Sequence, residues 1–585
     1  MSRAALVASV VSLLTAACGG GAVQTAAFAT DWQSDGGKSI AAVAAKVGKP
    51  SLPDGGGLAV GVTDSGLVAS SLDGAHHWKH PGRVDSRPAI AGDVVVFTSA
   101  GSLVALDANT GKELWKTSVG EKRLRGAGDD GRLTVASLGG GSGGGTLLVT
   151  VDRNGSVVRR WTPDVEVGVP AVASGFVFAP WGNQYVSALD VSSGKEEGRL
   201  LGRLVMSRAV VSGGSIYFGE HALLRFDDEI GKAPANGGHT VKLPDRELPG
   251  KPFWFPSGEA VLPVTAGAPD SIRFYARPAE TNGKLGIDSD RFAATYFRVV
   301  VAFNAHDGTL RWARTFPDEI IGGDAATAGF VFCDESGKVW LADARAGGDS
   351  GSVALGEPLR SCVVRAGSYQ VKPGKDSGTL AEQIAEAINL RETQMAMIQR
   401  FLLRELGTGE DPAITKTLLD LASDARTQPD VLDEAKNLLS SRRNGVEYML
   451  DALSRHYDYL SDVLRPPPVG PLADALAAVG EKKAAPLLAA HLNDPADSPN
   501  DVRHAAHALV TLATGDELPA VRTFFSLYRA TADEEDLIAA VIDAAKILVA
   551  LDGPSGVELV QRAAADPMTQ SAVREGISNL APKSG

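Results

Sequence analysis

Serine, histidine and cysteine are the side chains to test first for chemistry. Ser142 centres Gly140-Gly141-Ser142-Gly143-Gly144, the Gly-x-Ser-x-Gly spacing of a hydrolase nucleophile elbow. It lies in the uninterrupted loop Gly139–Gly145, where such a spacing match is nearly automatic. Ser350 stands between Asp349 and Gly351, as an acyl-transfer serine would, but no matching histidine segment accompanies it. His76, His77 and His80 surround Trp78, and His504 and His507 lie one helical turn apart, with His491 on a paired helix. Either group could ligate a metal. Neither has Cys or carboxylate partners at a recognised spacing, which favours solvated or packed imidazoles. Cys333 and Cys362 lie on expected neighbouring strands. In an oxidising compartment they can join as a disulfide, with two buried thiols as the alternative. No catalytic residue, cofactor ligand or metal ligand is therefore expected.

The third cysteine, Cys18, carries an address. Arg3 is a positive start, Ala4 to Leu14 form an apolar run of secretory-signal length, and small Ala16 and Ala17 precede Cys18. Leu14-Thr15-Ala16-Ala17-Cys18 resembles a bacterial lipobox, although Thr15 stands where that family prefers Leu. The resemblance implies a signal peptide over 1–18, lipidation of Cys18 and a membrane held through the anchor. An ordinary signal peptide cut nearby is the alternative. Gly19, in place of Asp, points to the outer membrane and a periplasmic location. Residues 19–50 are rich in Gly, Ala and Ser and read as a flexible tether.

The elements that must position everything else show in a repeat. An apolar strand ends in Asp or Asn, a turn carries Gly, and a second strand ends in Trp. Asp107, Gly111 and Trp115 form one clear copy, and Asn304, Gly308 and Trp312 another. Near-versions centre on Asp73/Gly74/Trp78, Asp152/Gly155/Trp161, Asp190/Gly194, Asp227/Gly231 and Asp343/Gly347. The carboxylate can accept backbone N–H groups across the turn. Gly supplies a positive φ, and Trp offers a large plate between neighbouring sheets. Repeats of this length and strand content indicate a β-propeller.

Over residues 51–371 the pattern resembles the PQQ-like (pyrroloquinoline-quinone-type) β-propeller repeat, also found in the propeller lipoprotein of the β-barrel assembly machinery. Seven copies imply seven blades. The doubled spacing from Asp227 to Asn304 leaves room for an eighth, degenerate one, and a single blade with an inserted loop is favoured. Residues 359–371 are expected to close the ring on the first blade. Quinoprotein enzymes of this fold carry adjacent Cys residues and a calcium site in an eight-bladed ring. This chain has no Cys-Cys pair and no matching calcium motif, so no cofactor is expected. The segment 269–298 departs from the repeat and concentrates Arg273, Tyr275, Arg277, Arg291, Phe292 and Tyr296. Arg and aromatic residues are enriched at binding hot spots, so these six are candidate partner-binding residues, against the reading of a hairpin packed along its own blade.

A linker over 372–379 precedes a change of period from 2 to 3.6. One long helix is expected from Leu380 past Leu402, inside a helical region 380–464, followed by a Pro-rich break at 465–471. Residues 472–581 resemble HEAT repeats: a helix, the Asp494-Pro495 turn, then Asp501-Val502-Arg503 opening the next helix. A HEAT-like α-solenoid follows. The formal charge of −13 lies wholly beyond Lys375. An acidic chain is unsuited to nucleic acid. The combined expectation is a non-catalytic scaffold or adaptor lipoprotein of the bacterial cell envelope that binds other envelope proteins, in a role tied to outer-membrane protein assembly. The alternative is an extracytoplasmic quinoprotein-like enzyme or a small-ligand sensor using the propeller funnel.

Overall fold

The computed structural model describes residues 25–28, 40–49, 56–140, 145–201, 206–212, 215–219, 223–225, 259–262, 272–281, 284–304, 309–455 and 466–580. The chain divides into two compact units, Met1–Gln383 and Ile384–Gly585. Among the described residues, no helix is long and apolar enough to cross a membrane.

In the first unit the strands form antiparallel sheets, named here in chain order. The first holds Leu58–Val62, Gly66–Ser71 and His77–Pro81. The second holds Ala89–Ala91, Val94–Ser99, Ser102–Asp107 and Glu113–Ser118. The third holds Arg123–Asp129, Leu133–Gly139, Leu147–Asp152 and Val157–Trp161, and the fourth Ala171–Ala173, Phe176–Trp181, Tyr185–Asp190 and Glu196–Leu201. The fifth is Arg208–Ser212, Ser215–Gly219 and Leu223–Arg225. The sixth is Glu259–Leu262, Ile272–Thr281, Lys284–Tyr296, Val299–Phe303 and Leu310–Thr315. The seventh is Ile320–Ala326, Gly329–Asp334, Lys338–Asp343 and Asp349–Ala354. Each sheet touches the next, as propeller blades do. Ser361–Arg365 returns to pair with Leu58–Val62, Leu58 opposite Arg365. The far end of the unit thus completes its first sheet, as the residues after the last copy suggested.

The repeat is a device for joining sheets. At the second sheet's turn, Asp107 Oδ1 accepts from the Asn109 and Thr110 N–H groups at 3.1 and 2.8 Å. Asp152, Asp190 and Asp343 hold their turns in the same way. The outer-strand Trp faces an Ala one strand inward: Ala69–Trp78, Ala105–Trp115 and Ala302–Trp312. The Trp then leans on the next sheet. Trp78 Nε1 donates to Ala108 O at 2.9 Å and Trp312 Nε1 to Ala344 O at 3.1 Å. A Cβ added to Gly111 or Gly347 would lie 2.6 Å from the Trp78 or Trp312 ring. The turn glycine therefore has two jobs: its positive φ of 69–70°, and leaving room for the preceding sheet's indole. Asn304 keeps the turn bond from its own N–H to Thr309 O at 2.9 Å, while Gly308 lies outside the described residues.

The linker is not free. Ser350 Oγ donates to Lys372 O, Ser377 Oγ donates to Ala346 O, and Lys375 N donates to Asp349 O. These bonds lay the linker along the seventh sheet. Gln383 accepts from Ala313 N at 3.0 Å and donates to Ala346 O at 3.1 Å, so the unit boundary falls after Gln383, beyond the expected 372–379.

In the second unit, the expected long first helix is two: Leu380–Ile388, which begins before the boundary, and Ala396–Gly407. The buried Gln399 side chain explains the interruption. Its Nε2 donates to Ile388 O and Leu390 O at 2.7 and 2.8 Å, satisfying carbonyls that a helix end leaves open. The helices then alternate between two layers. Ala396–Gly407, Pro429–Ser441, Val469–Val479, Pro499–Leu512, Glu535–Leu551 and Ser571–Ile577 stack in one layer. Pro412–Ser423, Val446–Leu453, Ala485–His491 and Leu518–Tyr528 stack in the other. The same stacking runs through 396–453, where the sequence showed no repeat signature. Part of the expected break at 465–471 is itself helix. Val469 to Pro471 form a first turn, where proline's missing N–H costs nothing.

Candidate functional site

The aromatic and Arg segment expected to bind a partner is interior. Ile272–Thr281 and Lys284–Tyr296 are the long strands of the sixth sheet, with Tyr275 opposite Ala293 and Phe292 opposite Ala276. Arg273, Tyr275, Phe292 and Tyr296 are all buried. Arg273 Nη1 donates to Ile320 O at 2.9 Å, and the Tyr275 ring meets Phe332 edge-on at 5.6 Å. Arg273 and Tyr275 bridge to the seventh sheet, while Phe292 packs on Phe303 of its own sheet at 6.1 Å. The burial of all four corrects their reading as partner-binding residues in favour of a hairpin packed along its own blade. Arg277 and Arg291 lie on the same strands, and their side chains fall outside the described set.

The tether is also corrected, and more is built there. Ile40–Val47 is a helix whose Ile40, Val43 and Val47 share one face and are buried against Ala188, Leu200, Ala209 and Ile216 of the fourth and fifth sheets. Ser174 Oγ donates to Val47 O at 3.3 Å, and Lys46 pairs with Glu197 at 3.2 Å. Thr25–Phe28 sits on the opposite face of the fourth sheet. Phe28 meets Trp181 edge-on at 5.7 Å, and Arg199 donates to Ala27 O at 2.9 Å. Strand alternation makes this possible. Val186, Ala188 and Leu200 face the helix, whereas Tyr185, Ser187 and Arg199 face Phe28's side. The N-terminal arm therefore clasps the outer strand Glu196–Leu201 from both sides.

The register shows why a helix fits. In the fourth sheet, Ala188 faces Gly198, the position that Trp78, Trp115 and Trp312 hold in other sheets. This copy lacks its wedge, and Ile40, Val43 and Val47 fill the space. Beneath Phe28 the polar groups are satisfied. Trp181 stacks on Tyr185 at 4.3 Å and donates to Ser187 Oγ at 2.8 Å, Glu196 pairs with Arg199 at 2.7 Å, and the guanidinium lies 5.0 Å over the Trp181 ring. The clue in the sequence was the i, i+3, i+7 spacing of Ile40, Val43 and Val47, hidden by the small residues around it.

Other titratable groups are engaged rather than poised. Asp129 is buried, and burial pushes its carboxyl up, although Thr134, the Gly131 N–H and Arg153 draw it down. Arg153 bridges Asp129 to Asp93, tying the third sheet to the second. His491, Asp494 and Asp497 come close enough to consider a metal ion. However, His491 Nδ1 is 2.8 Å from Asp497 and Nε2 is 3.0 Å from Leu453 O. Burial alone would lower its pKa; the Asp497 and Leu453 bonds outweigh that and raise it. A ring that donates from both nitrogens has no lone pair for a metal. His504 and His507 face Asp474 and Asp543 instead. The structure joins Cys333 and Cys362 in a disulfide, Cα–Cα 6.4 Å, between the seventh sheet and the closing strand. A cleft lined by Ser71, Asp73, His76, Asn109 and Tyr369 opens beside the first sheet. Cys18 lies outside the described residues.

Antiparallel propeller-like sheets joined by Trp wedges, followed by a helical unit, resemble a PQQ-like propeller protein. The particular resemblance is to one family. Residues 21–233 match the family model described as outer membrane protein assembly factor BamB. The outer membrane protein assembly factor BamB of Burkholderia pseudomallei (strain K96243) is 27% identical over 283 residues, covering 45% of this chain and 66% of that relative. Among solved structures, BamB from Moraxella catarrhalis is 17% identical, with TM-score 0.26, covering 50% of this chain and 84% of that one. Apo AztD from Citrobacter koseri is 12% identical, with TM-score 0.33, covering 54% and 99%.

Proposed function

We propose that this chain is a lipid-anchored, non-catalytic scaffold of the bacterial cell envelope that serves outer-membrane protein assembly. In this reading a seven-bladed PQQ-like propeller and a HEAT-like solenoid both present surfaces to other envelope proteins. The observation that carries it is the match of residues 21–233 to the BamB family model, on a unit built of propeller-like sheets. The lipobox-like run ending at Cys18 supports the anchor and the outer-membrane address. The acidic helical unit adds a surface attractive to basic partners, whose association weakens with salt. The test has two arms. Cys18→Ser should shift the protein from the membrane fraction to the soluble envelope fraction. Crosslinking of the full chain in intact cells should recover outer-membrane proteins or their assembly components. Recovery of neither class, from a chain that crosslinks efficiently, would refute the role.

A further inference from the structure

The clasp changes what an anchor at Cys18 would do. Seven peptide steps separate Cys18 from Thr25, the first residue of the arm held on the fourth sheet. A trans chain advances at most about 3.6 Å per residue, so Cys18 lies within roughly 25 Å of that sheet whatever path residues 19–24 take. Were the chain free as far as Leu58, the same limit would be about 140 Å and every side of the propeller could reach the membrane. We propose that the outer edge of the fourth sheet is the surface this protein holds against the bilayer that carries its anchor. This rests on Cys18 being lipidated. The occupant is a lipid surface because the length and end point of the intervening chain leave the anchor nowhere farther to go. The clasped strand also ends in Leu201, an apolar side chain 57% exposed at that edge. The arm holds both faces of one strand, so it fixes which side of the propeller is near the membrane as well as how near.

The experiment uses the full lipidated chain in vesicles of phosphatidylethanolamine and phosphatidylglycerol. A fluorescent amino acid is placed at position 201, or at position 79 on the outer strand of the first sheet, where Lys79 is 63% exposed. Phospholipids brominated in their acyl chains are the quencher. Loss of emission at 201 with none at 79 is expected. A spacer of about thirty Gly and Ser residues inserted after Gly21 lengthens the leash without touching the fold, and should abolish the loss at 201. Equal quenching at both positions, or quenching at 201 that ignores the spacer, in a chain shown to carry its lipid, would overturn the proposal and leave the anchor standing. A chain whose Cys18 incorporates no lipid label would overturn both, and the label is read separately.

Discussion

Replacing Gly347 by Ala tests the inter-sheet joint from the glycine side. The added Cβ would lie 2.6 Å from Trp312 Cε3 and 2.7 Å from Cδ2, on a residue at φ 70°. The clash should cost about 1–3 kcal/mol as overpacking, and the left-handed backbone about 1–2 kcal/mol more. Trp312→Ala alone removes a buried indole and its bond to the Ala344 carbonyl, a loss of about 3–5 kcal/mol. In the double variant the clash has no partner, so only the backbone cost of Gly347→Ala should remain. The two changes should therefore fall short of additivity by about 1–3 kcal/mol. Urea unfolding of the full chain, followed by circular dichroism in the β region, measures all four corners of the cycle. Additivity within about 0.5 kcal/mol would show that ring and glycine share no contact and would refute the joint. Partner binding, once a partner is in hand, should fall with Trp312→Ala only in step with the folded fraction.

Further predictions concern other joints. His491 titrates with a raised folded pKa. Its contribution to the helical unit should be fully present below the unfolded value near 6.5 and lost as pH rises through the folded value; His491→Gln should flatten that slope in melting experiments, and an unchanged slope would assign it elsewhere. Opening the Cys333–Cys362 bond, which closes a loop of sequence separation 29, should destabilise the propeller by about 3–4 kcal/mol, read as a shift in urea midpoint on adding reductant. Gly198→Trp should restore the missing wedge and evict the Ile40–Val47 helix, exposing the arm to limited proteolysis. An arm that stays protected would mean the two do not compete for one space.

The propeller was legible because its signals are local. Asp and Gly act within one turn, and Trp recurs at one place on its strand, so Asp107, Gly111 and Trp115 declare themselves without knowledge of neighbours. The second role of Gly111, making room for Trp78 of the preceding sheet, depends on a contact between copies and left no separate mark. For the segment holding Arg273 and Tyr275 the sequence left two readings, a partner-binding excursion or a hairpin packed along its own blade; its strands continue the sixth sheet, and the burial that decides between them follows from pairing partners that sequence does not reveal. The arm was misread for a different reason. Its Ala-rich composition resembles a linker, and only the fourth sheet's lack of a Trp at Gly198 gives Ile40, Val43 and Val47 a place to go. In the helical unit, Gln399 broke an amphipathic run that periodicity alone would continue.

The pairing of Leu58–Val62 with Ser361–Arg365 sets a schedule for biogenesis. A chain made from its N-terminus at about 5–20 residues per second presents the 58–62 strand roughly 15–60 s before the strand that must cover it. Throughout that interval the first sheet has an open, apolar edge of the kind that recruits foreign strands. The propeller cannot finish blade by blade as it appears. Its last act is a contact between residues some 300 positions apart, which cannot form until the closing strand has been made, whereas the Cys333–Cys362 bond joins residues only 29 apart and needs just the seventh sheet and that strand. Holding such an edge covered until the chain is complete is work for a chaperone, and a cell short of one should accumulate this protein aggregated while its helical unit, built from near neighbours, still folds.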